Sequence, residues 1–260
     1  TEKHNMDMKN YFGMHPKAAV AFSGGTDSAF LLYQASKYAK EVQAWYFLTP
    51  FQHEQEAEDA RRFCDQLGVK LNILKEDILG QPDVKKNDSQ RCYYCKKAMF
   101  LSLKQACEKA GFSEVMEGTN ASDSPEGRPG YRALQELGIL SPLRLCGLTK
   151  SEIRRLSKEA GLFTAAKPSN SCLATRIPEG MEITKELLDK VAACEKVMTE
   201  LGFSDFRVRV RGNERKDTGL IQVPEDQIQK AAMLHREVTA GMEGYFQNIL
   251  LDLRPREGVD

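Results

Sequence analysis

Residues 18–22 form a short, unbroken apolar run that ends abruptly in Ser23, Gly24, Gly25, Thr26, Asp27 and Ser28. Residues 29–40 then carry Phe30, Leu31, Tyr33 and Tyr38 at helical spacing. A small continuous run of this kind reads as a buried parallel strand. Such strands alternating with helices, as they do through residue 74, imply right-handed β-α-β units on one parallel sheet. The glycines let the backbone turn tightly and bring N–H groups close to an anion, and the start of the helix adds its positive dipole end. The Ser23, Thr26 and Ser28 hydroxyls are candidate phosphate donors. Asp27 would repel a phosphate and reads instead as a Mg²⁺ partner or a helix cap. No Gly-Lys-Ser/Thr follows the loop, and it lacks the Gly-x-Gly-x-x-Gly spacing of dinucleotide folds.

The β-α alternation continues. Residues 42–48 and 69–74 are predicted strands, 54–67 a helix stopped by Gly68, and 92–109 a helix stopped by Gly111. Residues 115–118 are a predicted fourth strand, and 75–91, 121–130 and 164–181 are predicted loops. Thr149 and Glu152 form a capping box for a helix over 149–160. From Ile183 the pattern changes to helix, strand, strand, helix, strand. Residues 206–211 alternate strictly, as a half-buried strand does. The expected organisation is an α/β domain over 1–178 and a smaller α+β domain over 179–260.

Lys plus Arg and Asp plus Glu number 37 each, which speaks against a protein that holds nucleic acid by bulk charge. No apolar run reaches the roughly 18–20 residues of a membrane helix. Seven cysteines is an odd set for a disulfide framework, so the cytoplasm is the expected compartment. Cys64, Cys107 and Cys194 fall inside predicted helices and, with Cys146, read as small buried apolar residues. Cys92 and Cys95 form a Cys-x-x-Cys pair, a spacing shared by zinc, iron–sulfur and redox sites. Cys172 lies in the polar stretch 169–178 and is expected to be accessible.

The Ser23–Ser28 motif after a first strand resembles the PP-loop ATP pyrophosphatases. That resemblance implies a parallel sheet flanked by helices, and a loop that holds the pyrophosphate of ATP while a substrate oxygen attacks the α-phosphorus. Further blocks follow in order: 91–96 (RCYYCK), 118–120 (GTN), 128–130 (RPG), 141–142 (SP), 147–154 (GLTKSEIR) and 172–178 (CLATRIP). Together they resemble the LarE family of ATP-dependent pyridinium-3,5-biscarboxylate mononucleotide sulfurtransferases over most of 18–185 and into the strand at Phe206. The resemblance implies that a pyridinium carboxylate is adenylylated and then given sulfur. In one subgroup of the family the cysteine matching Cys172 surrenders its own sulfur. In another it joins a Cys-x-x-Cys pair to hold a [4Fe-4S] cluster, and Cys92, Cys95 and Cys172 match that pattern. ATP, Mg²⁺ and the cluster are the implied cofactors, Asp27 and Cys172 the implied catalytic residues.

The same resemblance assigns Glu195, Arg207, Arg209 and Asp226 to a substrate phosphate and metal site, and places Arg176, Asn120 and Arg128 near the substrate. Arg207 and Arg209, two apart on a strand, share one face. A solvated edge strand is the plainer reading of that pair. The chain departs from the family in 121–127 and in 212–218. The resemblance also implies a symmetric homo-oligomer, a hexamer among the forms, and a sulfide donor that it does not name. A zinc site on the three cysteines, a PP-loop tRNA thiolation enzyme and a non-enzymatic nucleotide-sensing or iron–sulfur scaffold remain as alternatives.

Overall fold

A computed structural model of the chain describes residues 6–124, 127–167, 171–211 and 217–256. In chain order these form α1 (Met8–Met14), β1 (Lys17–Ala21), α2 (Thr26–Tyr38), β2 (Glu41–Leu48), α3 (Glu54–Leu67), β3 (Lys70–Lys75), α4 (Pro82–Lys85), α5 (Arg91–Lys109) and β4 (Val115–Met116). The chain continues through α6 (Pro129–Glu136), α7 (Pro142–Leu145), α8 (Lys150–Glu159), α9 (Lys185–Glu200), β5 (Arg207–Val210), β6 (Thr218–Gln222), α10 (Glu225–Met233), α11 (His235–Met242) and β7 (Asn248–Leu251). Among the described residues no helix is long and apolar enough to cross a membrane.

Two compact units result. The first comprises Thr1–Thr49, Glu54–Ile78 and Cys92–Lys167. Its sheet has the order β3-β2-β1-β4, with every pair parallel. β1 is central, and Ala18, Ala19 and Val20 are fully buried. Successive side chains on a strand point to opposite faces. Ala18, Val20 and Phe22 accordingly pack with Phe30, Leu31 and Phe63 of α2 and α3. Ala19 packs on the other face with Trp45, Phe47 and the α5 residues Phe100 and Leu103. Small residues on β1 let helices approach the sheet from both sides. This is the expected parallel sheet flanked by helices. β4 is shorter than the predicted strand: it is two residues long, and the chain leaves the sheet at Glu117.

The second unit comprises Pro50–His53, Leu79–Arg91 and Pro168–Asp260. Its sheet has the order β5-β6-β7, antiparallel then parallel. Val208, Val210, Ile221 and Val223 are buried, as are Leu188, Val191, Cys194 and Met198 of α9. α11 lies close against α9, since a β-carbon on Gly241 would sit 2.6 Å from Val197 Cγ1. Asn87 ties the discontinuous segments of this unit together. It is buried with φ +58°, a conformation Asn tolerates better than most residues. Its Nδ2 donates to the carbonyls of Pro178 (2.8 Å) and Met181 (3.0 Å), and its Oδ1 accepts from Arg91.

Candidate active site

The Ser23–Ser28 loop leaves the C-terminal edge of β1, where ligands of open α/β sheets bind. Gly24 is buried with φ +76°, a left-handed turn that glycine makes without strain. Gly25 caps α2 in extended conformation and offers no side chain to the first-turn N–H groups, which suits an anion. The two serines close the loop on itself. Ser23 Oγ lies 3.0 Å from Ser28 Oγ, which also accepts from Ser23 N and donates to Gly25 O. The Thr26 hydroxyl donates to Thr164 O at 2.9 Å, so it tethers the loop.

Asp27 meets a cation that motif spacing does not reveal. Lys150 Nζ donates to Asp27 Oδ2 at 2.7 Å, while Asp27 Oδ1 is buried and has no hydrogen-bond partner. An orphaned carboxylate oxygen in this loop fits a hard divalent cation such as Mg²⁺. Lys150 begins α8, whose capping box of Thr149 and Glu152 forms as expected. A second lysine, Lys167, pairs with Asp59 at 2.5 Å and reaches Gly24 O at 3.4 Å. Neither lysine lies within the loop motif. The signal for Lys150 was its place at a helix start, where a positive charge opposes the dipole.

The Gly118-Thr119-Asn120 turn packs on the same helix start. Buried Glu117 locks it, with Oε2 accepting from Thr119 N and Oγ1 and Oε1 from Ser141 Oγ. Asn120 is also buried, and its Oδ1 accepts from Ser122 N at 2.8 Å. Exposed Arg128 pairs with Asp123 at 2.8 Å and precedes α6.

Cys92 and Cys95 stand near the start of α5, one exposed and one half-buried, on a shared face. Between them Tyr93 is buried. It donates to Glu136 Oε2 at 2.7 Å, and Arg132 stacks 4.1 Å over its ring. The remaining cysteines behave as expected of core residues: burial pushes the thiols of Cys64, Cys107 and Cys194 up to about 12 and that of Cys146 to about 11.

In the second unit Cys172 is exposed at the start of a 3₁₀ turn over Leu173–Arg176. Arginines hold the backbone of this loop. Arg176 Nη1 donates to Ser171 O (3.0 Å), Ser171 Oγ (2.7 Å) and Thr175 Oγ1 (2.9 Å). Arg91 donates to Ala174 O at 3.2 Å and Arg209 to Thr175 O at 2.5 Å. Leu173 N donates to Phe51 O at 2.9 Å. Residues 168–170 at the head of this stretch, and 212–216 of the loop that departs from the family, lie outside the described residues.

Glu195 sits behind the Cys172 loop. It is 4% exposed and accepts from Arg176 Nε (2.7 Å), His53 Nε2 (3.0 Å) and Val208 N (3.0 Å). Burial alone would raise its pKa. The bonds from His53, Arg176 and Val208 reverse that and hold it at about 2. Arg207 and Arg209 share a face of β5 as expected, but the face is covered: Arg207 is 3% exposed. Burial and the nearby guanidinium groups of Arg176 and Arg256 push Arg207 down to about 10, and burial with Arg176 lowers Arg209. Four crowded guanidinium groups, with Glu195 and Asp205 as carboxylates beside them, suit an added anion. Asp226 is exposed in the first turn of α10, where an acid complements the dipole. Among the described residues no three His, Cys, Asp or Glu side chains gather into a metal site.

Residues 17–196 match the family described as queuosine biosynthesis protein QueC. An uncharacterized protein of Synechocystis is 31% identical over 225 residues, 86% of this chain and 82% of its own. The pyridinium-3,5-bisthiocarboxylic acid mononucleotide synthase of Lactiplantibacillus plantarum is 28% identical over 240 residues, 91% of this chain and 86% of its own. A probable tRNA sulfurtransferase of Thermoanaerobacter pseudethanolicus is 26% identical over 198 residues, 72% of this chain and 51% of its own.

Proposed function

The chain belongs to the QueC family, a PP-loop family, and from that premise we propose that it is an ATP-dependent sulfurtransferase acting on a small nucleotide acid. One observation carries the reading. Its likeness to an enzyme named for making a bisthiocarboxylic acid mononucleotide runs along 91% of its length.

The substrate is a pyridinium biscarboxylate mononucleotide. The loop of Ser23, Gly24, Gly25 and Ser28 binds the pyrophosphate end of ATP through backbone N–H groups and the α2 dipole. A substrate carboxylate oxygen attacks the α-phosphorus, and pyrophosphate departs with the electron pair of the broken bond. The acyl adenylate then loses AMP to a sulfur nucleophile, leaving a thiocarboxylate. Asp27, through its orphaned Oδ1, would hold Mg²⁺, which neutralises phosphate charge. The guanidinium cluster of Arg207 and Arg209 binds the nucleotide's phosphate. Arg176 and Glu195 fix the backbone of the Cys172 loop. Asn120 and Arg128 shape the turn beside α2.

Cys92, Cys95 and Cys172 are the thiols that solvent reaches, and soft thiolates are the donors an iron–sulfur cluster takes. They are the proposed ligands of the [4Fe-4S] cluster, which supplies sulfur when bound. In a second reading Cys172, exposed at the head of its 3₁₀ turn, gives up its own sulfur. Iron and sulfide analysis of anaerobically purified protein separates the two, and intact mass after one turnover shows whether Cys172 has lost sulfur. A symmetric homo-oligomer belongs to the same proposal and is checked by sedimentation.

The decisive assay mixes protein, Mg-ATP, sulfide source and the biscarboxylate nucleotide. Pyrophosphate release and the mass of the thiocarboxylate are expected. Pyrophosphate release with tRNA and none with the nucleotide would transfer the assignment to tRNA thiolation.

A further inference from the structure

The Asp27–Lys150 pair poses a physical question. Lys150 occupies the first position of α8, where the dipole disfavours a cation. Its side chain is nonetheless only 17% exposed and reaches Asp27 of α2 at 2.7 Å. The loop motif contains no lysine or arginine, yet a triphosphate needs cations beyond backbone N–H groups. Lys150 stands at the loop with its ammonium on one oxygen of Asp27, and the other oxygen of Asp27 is buried without a partner. A carboxylate held this way is engaged on one side and open on the other.

We propose that Lys150 is an exchangeable counter-ion: when Mg-ATP binds, its ammonium leaves Asp27 for the pyrophosphate oxygens, and Asp27 becomes available to the metal. Lys150 then touches the leaving group and offsets the charge that grows there as the α–β bond breaks. Lys150 makes no covalent bond and gives up no proton. This role rests on the reading of the loop as the ATP site. The competing account is a staple, in which the ion pair merely fastens α8 to α2.

The two accounts differ in sign. An exchangeable counter-ion competes with metal for Asp27 but aids pyrophosphate, so its removal moves the two affinities in opposite directions. A staple moves both downward or neither. The probes are Mn²⁺, titrated by electron paramagnetic resonance into nucleotide-free protein, and magnesium pyrophosphate, titrated by calorimetry. Lys150→Met should bind Mn²⁺ several-fold tighter and pyrophosphate about tenfold more weakly, the scale of a charge-assisted hydrogen bond. Lys150→Gln, which can still bond Asp27 and hold α8 in place, supplies the same two constants if the methionine variant does not fold. Weakening of both ligands, or no change in either, overturns the exchange. Asp27→Asn tests the underlying reading separately. It should lose Mn²⁺ binding; normal Mn²⁺ binding and normal ATP–pyrophosphate exchange in that variant would remove the loop assignment and the exchange with it.

Discussion

Gly118 lies so close to the start of α2 that a β-carbon on it would sit 2.8 Å from the backbone nitrogen of Ser28 and 3.1 Å from its Cα. Both contacts are with backbone inside a helix turn, which cannot yield as a flexible side chain would. Gly118→Ala should displace the phosphate loop and lower ATP–pyrophosphate exchange tenfold or more. The overpacking should cost about 1–3 kcal/mol of stability. Exchange kinetics and thermal unfolding of the same variant check both. An alanine variant that exchanges normally would show that the turn does not set the loop.

Glu195 should give the second unit an acid-sensitive component. Its folded pKa of about 2 lies below the ordinary 4.5. A depressed carboxyl contributes stability that is complete above the unfolded value and is lost as pH falls through the folded one. The window is therefore pH 4.5 down to 2. Glu195→Gln should lose that slope. It should also be destabilised at neutral pH by roughly 3–5 kcal/mol, because it strands the buried Arg176 guanidinium. Urea unfolding at several pH values measures both effects.

Alkylation should sort the cysteines by burial. In folded protein Cys92 and Cys172 should react with iodoacetamide at neutral pH. Cys64, Cys107 and Cys194 should resist until the chain unfolds, because burial hides them and keeps them as thiols. Peptide mass mapping reads the order directly. Labelling of Cys107 as fast as Cys172 would contradict the packing of α5.

Cys172→Ala should abolish thiolation and leave ATP–pyrophosphate exchange intact, since the phosphate loop belongs to the other unit. Arg176→Lys should reduce thiolation with the same preserved exchange, because lysine cannot reproduce the guanidinium fan onto Ser171 and Thr175. Loss of both activities in a folded variant would give Cys172 a different role.

Local pattern revealed the elements whose residues carry their own instructions. The strand before Ser23, the capping box at Thr149 and Glu152, and the apolar setting of Cys64, Cys107 and Cys194 all depend on neighbours within a few positions. α1, α4, α6, α7 and α11 went unread, and α4 is a four-residue turn inside the predicted loop 75–91. α7 is a single turn, and α6 begins inside a stretch whose prolines and glycines signal a loop. The turn at Ser23–Ser28 was legible because its residues are concentrated in one motif between a strand and a helix. The site was not legible where charge partners are remote in sequence. Lys150 and Asp27 are 123 positions apart. Strict alternation over 206–211 also suggested one wet face, whereas Arg207 is buried. Periodicity reports which residues share a face and says nothing of what lies against it.

The discontinuous makeup of the second unit has a consequence for synthesis on the ribosome. Residues 50–53 and 79–91 emerge early, yet their partners begin only at Pro168. The first unit has all its segments once Lys167 has cleared the exit tunnel, so the phosphate loop can form before the Cys172 loop has anything to fold onto. Asn87 and Arg91 must wait, with their polar groups in water, for carbonyls made later. A ribosome stalled shortly after residue 200 would therefore display a finished Ser23–Ser28 loop while the Cys172 loop is still unbuilt.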